Sequence, residues 1–175
     1  ARLRLGSIEP NELTDALLSR FVNSDRLCHH LHIPLQSGCD AVLERMQRRY
    51  TATFYRTVAE RAATALPDAF IAADLIAGFP GESEIDFEAT IRLVEQLPLA
   101  DLHVFPYSRR PGTPADLMPE QLPPQVITRR AEILRRIAAD KRAAFQQRFI
   151  GQTLRVLGQR HDPRQQLVTG LSRNY

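Results

Sequence analysis

Leu31-His32-Ile33-Pro34-Leu35-Gln36-Ser37-Gly38 is the stretch that decides the fold. Leu31, Ile33 and Leu35 alternate with His30, His32 and Pro34, the period of two that a half-buried strand requires. Pro34 has no N–H to give to a sheet, so regular pairing is expected to end there. Gln36 and Ser37 then fall just past the strand's carboxyl end, and Gly38 lets the chain turn back. Asp40 is the expected N-cap of a helix over Ala41–Gln47.

The same pattern recurs three times. Leu3–Ile8 runs into Glu9-Pro10, Phe70–Ala77 into Gly78-Phe79-Pro80-Gly81-Glu82, and Leu102–Phe105 into Pro106-Tyr107-Ser108-Arg109. A helical pattern follows each, so the class is α/β with parallel strands. In such folds the site lies at the carboxyl ends of the strands, where all four polar clusters would face one opening.

Working outward, Arg2-Leu3-Arg4-Leu5 opens inside an alternating strand, so the chain reads as a piece of something longer. Leu13, Leu17 and Phe21 recur at helical spacing with Asn11 as the expected cap, and Phe54, Val58 and Ala62 mark a second helix closed by Pro67. In the third strand Ile71, Ala73 and Leu75 share one face, while Phe70, Ala72 and Asp74 share the other. If the first set packs on helices, Asp74 points inward and needs a ligand, a cation or hydrogen-bond donors. Ser83 and Asp86 have the spacing of a capping box, opening a helix that buries Phe87, Ile91 and Val94.

Pro106–Pro124 holds six of the twelve prolines and is expected to be a stiff loop anchored by Tyr107 and Leu117. A helix from Pro124 to Ile150 follows, with Ile127, Ala131, Leu134, Ala138, Phe145 and Phe149 as its apolar stripe. Seven Lys/Arg stand against two Asp/Glu between Gln125 and Ile150. Those side chains either snorkel along the core edge or meet RNA, Arg129 and Arg136 being the outward pair. From Gly151 the pattern changes to strands, over Thr153–Leu157 and Gln166–Thr169, around a turn at Arg160–Arg164. The expected divisions are 1–123, 124–150 and 151–175.

At 175 residues and 43% hydrophobic, the chain can bury one core with a small addition. It has no apolar run long enough for a membrane span and no signal-peptide pattern at Ala1, so a cytoplasmic location is the default. A net charge of +3 is compatible with a nucleic-acid partner. Cys28 and Cys39 have neither the number nor the spacing of a zinc or iron–sulfur site and read as reduced thiols.

Glu9, Gln36, Arg48 and Asp74 form a mixed set. An arginine beside an amide suits a substrate carboxylate, and a carboxylate accepting from vicinal hydroxyls suits a ribose. No serine or cysteine has a histidine placed by motif, and Gly78–Gly81 lacks the lysine of a phosphate loop. His29, His30 and His32 read as structural histidines rather than metal ligands.

Arg2–Pro10, His32–Gly38, Met46-Gln47-Arg48-Arg49-Tyr50-Thr51, Asp74–Glu82 and His103–Ala115, five motifs in order, resemble the methylthiotransferases of the radical SAM superfamily. Ser108–Ala115 most resembles the subgroup that methylthiolates threonylcarbamoyladenosine next to the anticodon of tRNA. The resemblance implies the second half of a radical SAM partial (β/α)6 barrel, followed by the long basic helix and the start of a TRAM-like RNA-binding β module. It also implies S-adenosylmethionine and two [4Fe–4S] clusters as cofactors, and the tRNA anticodon stem-loop as partner. Gln36 and Arg48 match positions near the cofactor's methionine end, and Glu9 and Asp74 positions near its polar groups or ribose. Ser7 and His32 are carried over with them.

The implied reaction cleaves S-adenosylmethionine reductively to a 5′-deoxyadenosyl radical, abstracts hydrogen from adenine C2 and inserts a methylthio group. The family's Cys-x3-Cys-x2-Cys loop and its three further amino-terminal cysteines are not in this sequence, so the segment is expected to be inactive without a preceding half. The alternatives are a methylthiotransferase for isopentenyladenosine tRNA or for a ribosomal protein, and a cluster-free RNA-binding module.

Overall fold

The computed structural model describes residues 2–163 and 166–175. Strands β1 (His30–His32), β2 (Phe70–Ala77) and β3 (Asp101–Pro106) lie side by side in that order, all parallel. Parallel neighbours need a crossover. Helices α2 (Asp40–Arg45) and α3 (Ala52–Ala65) make the first, and α4 (Glu84–Gln96) makes the second.

Pro34 ends the regular ladder, yet pairing to β2 continues past it. Ile33 N–H donates to Ala72 O at 2.9 Å, and Leu35 and Gln36 N–H both donate to Asp74 O. The strand expected over Leu3–Ile8 is not continuous. Leu3 bridges Leu27 and Ser7 bridges His32, each as a single parallel pair. Gly6, between them, offers no side chain to pack, so the segment keeps a strand's alignment without its ladder.

Leu31, Ile33, Leu35, Ile71, Ala73 and Leu75 are fully buried against α3, α4 and helix α1 (Asp15–Val22). This is the helix-packed face of the sheet. Tyr55 donates to Ile33 O at 2.7 Å and Tyr50 to Pro34 O at 3.0 Å, satisfying carbonyls around the proline. Burial pushes the Tyr50 hydroxyl up to about 12, with Arg48 opposing, so it remains a donor.

Several caps move. Pro10–Glu12 forms one 3-10 turn, so α1 starts late, capped by Thr14 accepting from Leu17 N–H, while Asn11 instead donates to Arg49 O. Asp40 is the first residue of α2 rather than its cap; Cys39 holds that position, and the Asp40 carboxylate accepts from Ala52 N–H at 2.7 Å. That bond ties the start of α2 to the start of α3. The stripe of α3 is Tyr55, Val58, Ala59 and Ala62, and Phe54 is exposed. The Ser83–Asp86 capping box forms as expected.

Helix α5 (Pro124–Gln147) runs back along β3, burying Ala131, Leu134, Ala138 and Phe145. Its basic residues are largely engaged within the chain. Arg129 pairs with Glu84, Arg130 is buried against Glu82 and Glu84, Lys141 donates to Glu95 O and Leu97 O, and Arg142 meets Asp101. Arg135 and Arg136 stay exposed without ion-pair partners among the described residues. Arg130 therefore neither snorkels along the core edge nor faces outward; it lies inside. Leu117, expected as a loop anchor, is exposed, whereas Tyr107 does anchor by donating to Ala115 O at 3.0 Å.

Beyond α5, β4 (Leu157–Asp162) and β5 (Leu167–Leu171) form an antiparallel hairpin. The strand expected over Thr153–Leu157 begins only at its last residue, and Arg160–Asp162 belong to β4 rather than to a turn. Arg164 of that turn lies outside the described residues. After β5 the chain packs against the sheet, where Asn174 donates to Asp68 O and Tyr175 stacks on Phe70 at 4.8 Å.

His30 packs beside both Phe70 and Tyr175, ring centroids 5.6 and 5.4 Å away, with a buried Nδ1 that has no partner among the described residues. Burial, then Arg4 and His32, lower its pKa from 6.5 to about 4. The unfolded chain thus binds the extra proton first, and the stability present above about pH 6.5 is lost as pH falls toward 4. Urea midpoints measured across that window are expected to fall more steeply for the wild type than for His30→Gln; parallel slopes would refute this.

Candidate functional site

The strand face opposite the helices carries a row of polar side chains that crosses the sheet. Ser7 Oγ lies 2.8 Å from His32 Nδ1, His32 Nε2 lies 2.7 Å from Asp74 Oδ1, and His103 Nδ1 lies 3.2 Å from the same oxygen. Each residue comes from a different segment, and Asp74 and His103 are register partners across β2 and β3. Asp74, which the strand pattern aims inward, thereby obtains the donors it requires.

Beside this row, at the carboxyl ends of the strands, lies a cleft of about 510 Å³ lined by Gln36, Arg48, Asp74, Phe79, Tyr107 and Arg110, among others. Gln36 is buried and has φ 68°, in the left-handed region that non-glycine residues rarely adopt. Its N–H donates to Asp74 O at 2.8 Å and its carbonyl accepts from Ile76 N–H at 3.0 Å, which fixes that backbone. Its side-chain amide has no hydrogen-bond partner among the described residues. Strain of this kind persists only where the surroundings over-determine it.

Arg48 approaches Glu9 at 3.3 Å. The pair is partly exposed, so it contributes little to stability, but it leaves the rest of the guanidinium facing the cleft. Of the six residues singled out in the sequence, Gln36, Arg48 and Asp74 line the cleft. Glu9 reaches it through Arg48, and Ser7 and His32 through Asp74. His103, Phe79 and Tyr107 were not singled out. The two aromatic rings meet edge-on at 5.4 Å and form one wall.

On this cleft the Gln36 amide and Asp74 Oδ2 have no hydrogen-bond partner among the described residues, and Arg48 has further guanidinium N–H groups beyond the one it gives to Glu9. They fit a ligand bearing both a carboxylate and hydroxyl donors. His32, Asp74 and His103 offer two ring nitrogens and an oxygen within 4.8 Å of one another, a donor set that a divalent cation could use. The contacts as they stand are two N–H donors converging on one oxygen, which satisfies the set without a cation. An iron–sulfur cluster does not fit the cysteines present. Cys28 is buried, and Cys39 donates to Asp86 Oδ1 at 3.1 Å; burial, and then this bond, push its thiol pKa up.

Comparison with known proteins gives the class. Residues 6–94 match the radical SAM superfamily, and the chain belongs to that superfamily. Its relatives there are tRNA methylthiotransferases. The tRNA-2-methylthio-N(6)-dimethylallyladenosine synthase of Salinispora arenicola is 41% identical over 89% of this chain and 31% of its own length. The threonylcarbamoyladenosine tRNA methylthiotransferase MtaB of Thermotoga maritima is 39% identical over 90% of this chain and 36% of its own. That of Bacillus subtilis is 33% identical over 99% and 39%. The chain thus spans about a third of the length of these relatives. Among solved structures, coproporphyrinogen III oxidase (HemN) from Escherichia coli, a radical SAM enzyme, superposes with a TM-score of 0.59 at 19% identity. That match covers 85% of this chain and 32% of HemN, and it shows the shared fold. No helix is long and apolar enough to cross a membrane among the described residues.

Proposed function

We propose that this chain is the cofactor-binding later part of a cytoplasmic tRNA methylthiotransferase, which adds a methylthio group to C2 of a modified adenosine next to the anticodon. The observation that carries this reading is the convergence of Gln36, Arg48 and Asp74, from three separate segments, on one cleft at the strand carboxyl ends. Their free polar atoms match the carboxylate and ribose hydroxyls of S-adenosylmethionine. Arg48, steadied by Glu9, and Gln36 would hold the methionine end, and Asp74 the ribose. When bound, the cofactor supplies the radical that activates the adenine; this chain's residues bind and orient it and exclude water through Phe79 and Tyr107.

The two [4Fe–4S] clusters are assigned to a preceding half of the protein, so the segment alone is inactive. The sheet is read as part of a partial barrel over 1–123, α5 as a connecting helix over 124–150, and β4–β5 as the start of a TRAM-like module over 151–175. A cluster-free RNA-binding module is disfavoured because most cations of α5 are occupied within the chain.

The Ser108–Ala115 motif supports threonylcarbamoyladenosine as the substrate base. Deleting the full gene and analysing tRNA nucleosides by mass spectrometry is expected to abolish the 2-methylthio form of that base and leave its unmethylthiolated precursor. Loss of the dimethylallyladenosine product instead would overturn the choice of base, and no change in either would overturn the reading as a tRNA-modifying enzyme.

A further inference from the structure

His32 and His103 approach Asp74 from opposite neighbouring strands, and both meet Oδ1, at 2.7 and 3.2 Å. No described residue donates to Oδ2, while Asp74 lines the cleft. We infer that His103 is a positioning residue: with His32 it pins Oδ1 of Asp74 so that Oδ2 is presented to the cleft as a fixed acceptor for a ligand hydroxyl. This inference rests on the reading of the cleft as an S-adenosylmethionine site and adds to it a residue that the sequence motifs left without a role.

The direction of the protons follows from the partners. Among the contacts of the His32 ring, Ser7 is a hydroxyl and Asp74 a carboxylate. A carboxylate only accepts, so Nε2 must carry hydrogen, and with one ring proton Nδ1 accepts from the Ser7 hydroxyl. His103 likewise presents Nδ1–H to Asp74. Oδ1 therefore receives two donors, and its rotation is blocked from both sides. With only His32 in place, the carboxylate can swing about its one remaining bond. His103 is about half exposed, with its side chain at 46%, and adds little to the core, which separates a positioning role from a folding one.

The test compares S-adenosylhomocysteine with its 2′-deoxyadenosyl counterpart as probes, binding to the full-length protein by calorimetry. The wild type is expected to prefer the hydroxylated probe by about tenfold, the worth of one hydrogen bond to a charged acceptor. His103→Ala is expected to lose most of that preference through weaker binding of the hydroxylated probe alone. His103→Asn, which keeps an N–H at the same distance from the backbone, is expected to restore it.

Equal weakening of both probes by His103→Ala would show a merely structural residue and overturn the proposal. A preference unchanged in His103→Ala would do the same while leaving the cofactor reading intact. Wild-type protein that binds neither probe would overturn the cofactor reading and this proposal with it.

Discussion

Arg130→Ala is expected to destabilise the protein by about 3–5 kcal/mol, the cost of stranding a buried charge. Arg130 is 3% exposed; its Nη1 donates to Glu82 Oε2 at 2.7 Å and to Glu82 O at 2.8 Å, and its Nη2 to Glu84 Oε2 at 2.9 Å. The Glu82 side chain is itself buried and accepts from Gly78 N–H at 2.9 Å. Burial pushes the Glu82 carboxyl up, and Arg130 is the main group holding it down. Removing the guanidinium leaves a carboxylate that must either stay charged in the interior or take up a proton. A group whose folded pKa is raised contributes stability below its unfolded value and loses it as pH rises. The variant's deficit is therefore expected to grow from acid toward neutral pH.

The double variant Arg130→Met/Glu82→Gln removes both charges and keeps an acceptor for Gly78, so it is expected to recover most of the loss. Urea unfolding at two pH values reads both effects. A single-variant cost below about 1 kcal/mol would show that this pair does not hold the loop to α5. The consequence reaches the site, because Phe79 in that loop forms part of the cleft wall.

What the sequence disclosed, and what it withheld, follows from how local each signal is. The buried faces of β1 and β2 were legible because alternation of Leu31, Ile33 and Leu35, or of Ile71, Ala73 and Leu75, is a property of consecutive residues. The Ser83–Asp86 box was legible for the same reason. Asn11 and Asp40 misled as caps because their side chains found partners at Arg49 and Ala52, residues that only folding brings near. The expected stripe held at Ala131, Leu134, Ala138 and Phe145, while Ile127 is only partly buried and Phe149 lies past the helix end. Arg130 sat one position beside it, and nothing in a helical repeat shows that Glu82 and Glu84 wait there.

The site divides in the same way. Gln36, Arg48 and Asp74 could be named from motif and strand phase. The left-handed backbone of Gln36 could not, since it depends on bonds to both Asp74 and Ile76. His103 was hidden because its role depends on the register of β3 on β2, which no short-range pattern encodes. The need for donors around Asp74 was the one signal pointing to it, and the candidates were the polar residues on the facing side of the neighbouring strands.

Asp74→Asn is expected to weaken S-adenosylmethionine binding to the full-length protein nearly as much as Asp74→Ala, by about 10- to 100-fold, while leaving stability within about 1 kcal/mol of wild type. The reason lies in the two histidines. Both present N–H to Oδ1, so an asparagine in this position must turn its carbonyl oxygen toward them and its NH2 into the cleft. The side chain keeps its shape and its contacts with His32 and His103, yet the group offered to the ligand changes from acceptor to donor. A ribose hydroxyl that donated to Oδ2 then meets a second donor. Alanine loses the acceptor as well, and in addition leaves His32, at 17% side-chain exposure, without its partner, which is the more damaging change for folding. Calorimetry for affinity and thermal unfolding for stability separate the two effects. Wild-type affinity in Asp74→Asn would mean that Oδ2 receives nothing from the cofactor and would remove Asp74 from the binding set. Loss of binding together with loss of fold in Asn, but not in Ala, would mean that the two histidines do not both donate to Asp74.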